Sequence, residues 1–358
     1  MPRLDPFGTT IVRDYAKLFR EFGIDAFESY VTRLPAPLLL MKRYIIFGSR
    51  DFESICESIE KNRKFAVMSG IKPTNYLHIG TKMVIDELKY FQEQGAITYY
   101  GIADIEALVD NRLGLEVSEK YAFDNIIDCL ALGLDPDATK FFRQSRNPLV
   151  QKYAFIFSTN VTNAMMQAIY GDRHIGLYMA ALIQVADILL PQIEHGSMYT
   201  VVPVGVDQDP HLRLTREIAR KHNFSPPSSI YHRLMGSLTG KQKKISKREP
   251  EGAIFLQDEL EITQRKIMKA FTGGRDSAAE QRRLGGQPDI CPIFELEAYF
   301  SVDDDNELLI IEDDCRAGEL LCGEHKQLCV ERILAKLKEH QNKRQEVADL
   351  ALDILKEA

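Results

Sequence analysis

The chain has 358 residues, 45% hydrophobic and 27% charged, with a formal net charge of -7. That length suits two domains or one large domain with an appendage. The acidic balance excludes broad attraction to nucleic acid, so any RNA contact has to come from local basic patches. No run reaches the roughly 18 consecutive apolar residues of a membrane span, so no membrane contact is expected. The opening residues MPRLDPFGTT carry no apolar signal core. Six cysteines fit free thiols in a reducing, cytoplasmic setting better than a disulfide framework.

In chain order, Ile11, Tyr15, Leu18, Phe19 and Phe22 are spaced as on a helix that stops at Gly23. Pro35 and Pro37 close this opening, and residues 44–47 predict a strand ended by Gly48. Asp51 is a candidate cap for a helix running to about Lys61. Residues 1–60 are therefore expected to form an extension leaning on the main body. Residues 65–68 form a short apolar run, read as a buried strand, and Ser69, Gly70 and Pro73 break it into a loop. A helix follows, with Met83, Val84, Leu88 and Phe91 on one face. Further strands are predicted at 97–103, 140–142 and 199–204, and helices at 118–132, 149–170, 175–190 and after Gln208. This alternation predicts a doubly wound parallel sheet with helices on both faces, whose ligands bind beyond the carboxyl ends of the strands.

The loop at 70–81 joins a strand to a helix start, where backbone N–H groups and the helix dipole favour an anion. His78 can donate to a phosphate oxygen, and Gly80 has no Cβ to hold a flat ligand away. Asp104, Asp207 and Gln208 fall at the ends of other strands, so several polar clusters converge on one crevice. Residues 241–248, KQKKISKR, hold five basic residues in eight. Such a run is commonly a solvated surface loop. Beside an anion-ready loop it can instead close over a triphosphate and stabilise charge as a phosphoanhydride breaks.

Leu77-His78-Ile79-Gly80-Thr81 resembles the HIGH signature, and Lys244-Ile245-Ser246-Lys247-Arg248 the KMSKS signature, of class I aminoacyl-tRNA synthetases. The segments ALIQVADILL, Gly205-Val206-Asp207-Gln208-Asp209-Pro210 and Ala270-Phe271-Thr272-Gly273-Gly274-Arg275-Asp276 are similar to tryptophanyl-tRNA synthetases. Gly285-Gly286-Gln287-Pro288-Asp289 and Asp303-Asp304-Asp305 resemble their archaeal and eukaryotic branch. The resemblance implies a Rossmann-type catalytic domain at 61–256 and an α-helical, anticodon-binding domain at 257–358. It implies a homodimer that activates L-tryptophan with ATP and Mg2+, without a tightly bound cofactor, and charges tRNA(Trp).

The same resemblance assigns Lys244, Lys247 and His78 to catalysis, and Thr74, His78, Gly80, Gly205, Asp207 and Ser246 to ATP. It assigns Gln184, Asp187, Gln208, Glu106, Tyr100 and Met68 to tryptophan. A buried acceptor such as Asp187 makes chemical sense for an indole N–H, because phenylalanine would leave it unpaired. Thr81 and Arg248 depart from the two signatures. The rival readings are the tyrosine enzyme, which usually carries a tyrosine where Met68 or Val67 stands, and a catalytically reduced RNA-binding paralogue. No metal is expected at Cys291, Cys315, Cys322 and His325, because Cys315, Cys322 and Cys329, each seven apart, would line one helix face. RNA contact is expected at Arg265, Lys266, Lys269, Arg275, Arg282 and Arg283, and the dimer contact between Asp104 and Tyr178.

Overall fold

Seven strands make one sheet: β1 (Asp25–Ala26), β2 (Ile46–Arg50), β3 (Ala66–Ile71), β4 (Ile97–Ile102), β5 (Thr139–Arg143), β6 (Thr200–Gly205) and β7 (Ser228–His232). The computed structural model describes residues 15–240 and 243–358, so the expectations for Ile11, Lys241 and Gln242 lie outside it. The strand order is β1-β2-β7-β6-β3-β4-β5. From β7 to β5 the strands run parallel, as the alternating pattern predicts. β1 and β2 add an antiparallel edge beside β7. Asp25–Ala26 and Ile46–Arg50, from the segment before residue 61, are thus hydrogen-bonded into the sheet. The chain winds outward through β3, β4 and β5, then returns to place β6 on the other side of β3. That reversal opens a crevice at the carboxyl ends of β3 and β6, the binding position of a Rossmann-type sheet.

Helices cover both faces. The helix Ile79–Glu93 follows β3 and is capped by His78, whose side chain accepts from Thr81 N–H. The helix Ile175–His195 is 21 residues long and apolar enough to cross a bilayer by length and composition. It is instead largely packed inside the protein, where Asp187 and Gln192 are buried polar members of it. Asp51 does not cap the helix Glu53–Glu60, whose N-cap is Phe52. Its φ of 48° lies in the left-handed region, and its carboxylate pairs with Arg216 instead.

Beyond residue 256 the described chain is mostly helical, ending in the 36-residue helix Cys322–Glu357. That helix lies along Leu115–Ala131, where His340 Nε2 is 2.8 Å from Asp128 Oδ1 and Arg344 reaches Asp124 at 2.9 Å. The stretch 273–289 contains the helix Ala278–Leu284, capped by Ser277. Cys315 ends a separate helix, Asp305–Ala317, and a break at Gly318 precedes Cys322, so the three cysteines do not share one helix face. His325 faces Glu297 at 3.6 Å. Among the described residues no group of three or more His, Cys, Asp or Glu is placed to hold a metal ion.

Candidate active site

Two cavities adjoin at the crevice. The outer one, about 320 Å³, is roofed by residues 244–248 and floored by the turn after β3. The inner one, about 260 Å³, runs beneath β3, β4 and β6 toward the helix Ile175–His195. Gly70, Ile71, Lys72, Val84, Gly205 and Gln208 line both, so the two form one continuous recess.

Thr74, His78, Gly80, Gly205, Asp207, Lys244, Ser246 and Lys247 all line the outer cavity. The first signature loop is joined by main-chain bonds to residues 254–256, which follow the second signature loop. Ile79 N–H donates to Ile254 O at 3.0 Å and Leu256 N–H to Leu77 O at 2.9 Å. Lys247 Nζ donates to the carbonyls of Lys72 and Asn75, both at 3.2 Å. Lys244 Nζ lies 2.5 Å from Asp207 Oδ2. Ser246 Oγ accepts from Arg248 N–H at 3.2 Å and fixes the turn between the two lysines. A Cβ on Gly80 would stand 2.8 Å from Ile245 Cγ2, so glycine there is what lets the lysine loop settle.

Burial and the neighbouring lysines Lys247 and Lys244 push the His78 imidazole down to about 3. It is therefore neutral, and because Nδ1 accepts from Thr81 N–H at 3.2 Å, Nε2 carries the proton. Lys247 is pushed down to about 7 by burial and by the charge of Lys72. Lys72 itself stays charged: burial disfavours its ammonium, but Glu106 at 3.0 Å and Asp110 at 2.6 Å outweigh that. Arg248 lies 3.4 Å from the same Asp110 and is half exposed.

Met68, Glu106, Gln184, Asp187 and Gln208 line the inner cavity. Gln184 and Asp187 are three residues apart and so share a helix face. Asp187 is buried and takes one bond, from Gln144 Nε2 to Oδ2 at 2.6 Å, while its Oδ1 has no partner. Burial raises its carboxyl to about 8, against the Gln144 bond, with Glu106 and Asp104 adding to the rise. A buried acceptor left open at a cavity wall is suited to a ligand N–H.

Tyr100 is not part of this wall. Side chains alternate along β4, so Gly101 faces the cavity while Tyr100 points to the opposite side and packs edge-on against Phe141 at 5.7 Å. Lys72, Gln144, His211 and His232 line the recess without having been singled out from sequence. His211 sits in the apolar pattern of the helix Asp209–Lys221, and Tyr170 holds its Nδ1 at 2.8 Å. Only the position of Lys72 inside the first signature loop offered a signal.

The family model for class I tRNA synthetases (W and Y) matches residues 60–338. This chain belongs to that family. It is 40% identical to the tryptophan–tRNA ligase of Aeropyrum pernix, covering 98% of this chain and 96% of the relative. It is also 40% identical to that of Methanocaldococcus jannaschii, covering 98% of each. The solved tryptophanyl-tRNA synthetase of Aeropyrum pernix superposes with a TM-score of 0.91 at 39% identity, covering 98% of each chain. That of Encephalitozoon cuniculi, bound to tryptophan, gives 0.84 at 27% identity over 97% of this chain and 98% of the other.

Proposed function

We propose that this class I synthetase activates L-tryptophan with ATP and transfers the tryptophanyl group to tRNA(Trp). The observation that carries the substrate choice is the unpartnered Oδ1 of buried Asp187 at the wall of the inner cavity. An indole N–H satisfies it, and a phenylalanine ring cannot. Met68, also on that wall, offers a thioether and no partner for a phenol hydroxyl. A phenol O–H can also donate to Asp187 Oδ1, so what disfavours the tyrosine reading is the likeness to tryptophan–tRNA ligases along nearly the whole chain; both lysines at the outer cavity argue against a reduced paralogue.

In this reading the outer cavity takes ATP and the inner one tryptophan. A tryptophan carboxylate oxygen attacks the α-phosphorus, the bond to the bridging oxygen breaks, and pyrophosphate leaves with the electron pair. The terminal ribose hydroxyl of the tRNA then attacks the acyl carbon and expels AMP. His78 Nε2–H donates to a phosphate oxygen, with Gly80 and Thr74 beside it. Lys244 and Lys247 neutralise the departing pyrophosphate. Ser246 holds their loop in shape, Gly205 and Asp207 meet the ribose, and Gln184, Gln208 and Glu106 serve the substrate amine. Mg2+ enters as the counter-ion of ATP and is held mainly by phosphate oxygens. Lys244 and Lys72 already engage the carboxylates Asp207 and Asp110 of this cleft.

The helical part beyond residue 256 is the proposed tRNA-binding portion. Lys269, Arg282 and Arg283 are exposed there and fit phosphate contact. Lys266 does not: it is buried, bonded to Ala253 O at 2.8 Å and Asp258 at 2.7 Å. We place the enzyme in the cytoplasm, a setting in keeping with its free cysteines. It acts as a homodimer through the helices between Asp104 and Tyr178, where Phe155 is 69% and Ile175 75% exposed. Phe155→Glu should weaken dimerisation about 30-fold or more in sedimentation equilibrium, and unchanged self-association would remove that interface.

Because the sequence has no Trp, bound tryptophan would be the sole indole fluorophore. Titration with tryptophan should give a saturable change in its emission that tyrosine does not reverse. Competition by tyrosine at equal concentration would reverse the substrate assignment.

A further inference from the structure

At the carboxyl end of β7, a buried pair stands beside the outer cavity that none of the roles above uses. His232 is the last residue of β7 and pairs in register with Gly205, the last residue of β6. It is 5% exposed and lines the outer cavity. Its Nδ1 lies 3.0 Å and 3.3 Å from the two carboxylate oxygens of Glu87, which is fully buried on the inner face of the helix Ile79–Glu93. A fully buried glutamate is costly unless something on the protein requires it.

The imidazole is bidentate in function, and its second nitrogen has no such partner. Among the described residues Nε2 has no hydrogen-bond partner, yet it is not among the enclosed polar atoms that lack one. It therefore opens onto the cleft. A Cβ built on Gly205 would sit 3.6 Å from Nε2 and 2.8 Å from Asp207 Oδ1, so the nitrogen and the carboxylate flank the same glycine. Glycine at that point lets a ligand approach both.

We propose that His232, backed by Glu87, is a nucleotide-binding residue whose Nε2–H donates to a ribose hydroxyl of ATP; this rests on the outer cavity being the ATP site. Asp207 accepts from the same sugar edge once Lys244 moves to phosphate. A hydroxyl both accepts and donates, and this corner offers one group of each kind. Glu87 acts as a positioning residue: it fixes the ring and favours the imidazolium, while burial raises the Glu87 carboxyl itself.

The charged surroundings favour that state. Burial works against the imidazolium, but Glu87 and then Asp207 raise it above the ordinary histidine range. The other charges nearby are already paired: Asp86, next to Glu87, with Lys82 at 2.5 Å, and Lys244 with Asp207. ATP affinity should therefore fall as pH rises through the His232 titration. Glu87→Gln removes the main support of the imidazolium and moves that fall to lower pH.

The test is calorimetric binding of ATP, 2′-deoxy-ATP and 3′-deoxy-ATP to the wild-type chain and to His232→Gln and Glu87→Gln, without any amino acid present. Wild type should bind one of the deoxy nucleotides about tenfold more weakly than ATP, the loss of one charge-assisted hydrogen bond. In His232→Gln, ATP itself should weaken by about that factor and the discrimination should shrink to what Asp207 alone supplies. A purely structural role would weaken all three nucleotides alike and leave the ratio intact, which would overturn the proposal. Should the variants melt early, nitrogen-15 histidine spectra of the wild type decide instead: ATP must shift the Nε2 resonance of His232, and no shift sinks the idea. Neither readout depends on which amino acid is activated. A chain that binds ATP in this way but makes no adenylate would refute the assigned activity and not the role of His232.

Discussion

Lys247→Ala should lower the rate constant for ATP–pyrophosphate exchange by about 100- to 1,000-fold, with little change in the KM for tryptophan. The magnitude is that of losing one preorganised charge aimed at a developing anion. The contacts of the two lysines explain why the loss should fall on kcat. Lys247 Nζ is already held over the first loop by two carbonyls, and Lys244 by Asp207, so neither ammonium waits free in water. Both exchange weak neutral or paired contacts for the phosphates, most strongly as the α–β bridge breaks. Lys244→Ala should behave alike, and the double variant should lose less than the product of the two, because the lysines share one loop and one leaving group.

The titration of Lys247 gives this prediction a second readout. Burial, and then the charge of Lys72, hold it at about 7, so at pH 8 most of it is neutral. A bound triphosphate favours the charged form and raises that value. ATP binding at pH 8 should therefore take up close to one proton, seen as a dependence of the calorimetric enthalpy on the buffer's own ionisation enthalpy. The uptake should shrink below pH 6, where the amine is already charged, and vanish in Lys247→Ala.

Asp187→Ala should reduce kcat/KM for tryptophan by about 1,000-fold. It should also narrow the preference over phenylalanine, since the open acceptor that phenylalanine leaves unpaired is gone. The fall should be mirrored in wild type by an indole analogue with sulfur in place of the N–H, and that analogue should lose nothing further in the Asp187→Ala variant. The pH behaviour follows from the carboxyl being raised to about 8. The ionised form is the better acceptor, so KM for tryptophan should fall as pH rises through about 8, and Asp187→Asn should flatten that limb. A KM independent of pH in wild type would mean that Asp187 does not meet the substrate.

The parts of this site that could be read from sequence are those encoded by local pattern. The strand–loop–helix from Ala66 to Glu93 follows from a buried apolar run, a Gly/Pro break and a helical stripe, and His78 falls at the cap position that the pattern implies. Gln184 and Asp187 share a helix face at three-residue spacing, so both reach the inner cavity. What could not be read depends on partners distant in sequence. β7 is only Ser-Ser-Ile-Tyr-His; it is a strand because β6 and β2 both pair with it. His232 thus went unnoticed, together with the crevice corner it occupies.

Tyr100, which the resemblance implies for tryptophan, packs on the face away from the cavity; β4 is buried on both sides, so its sequence does not alternate and gives no sign of this. Lys266 belongs to a basic run, yet a carboxylate eight residues away, Asp258, draws it into the interior. Asp51 reads as a cap until its left-handed backbone and its pairing with Arg216 are known. In each case the local signal was real, and a tertiary contact decided the outcome.

The central claim is that loops around His78 and Lys244 close on one nucleotide, next to a pocket that selects indole. The most direct measurement is exchange of labelled pyrophosphate into ATP with tryptophan, with tyrosine, and with no amino acid. Exchange that requires tryptophan and is absent with tyrosine is the predicted result; exchange supported by tyrosine, or none with tryptophan from a folded preparation, would contradict it.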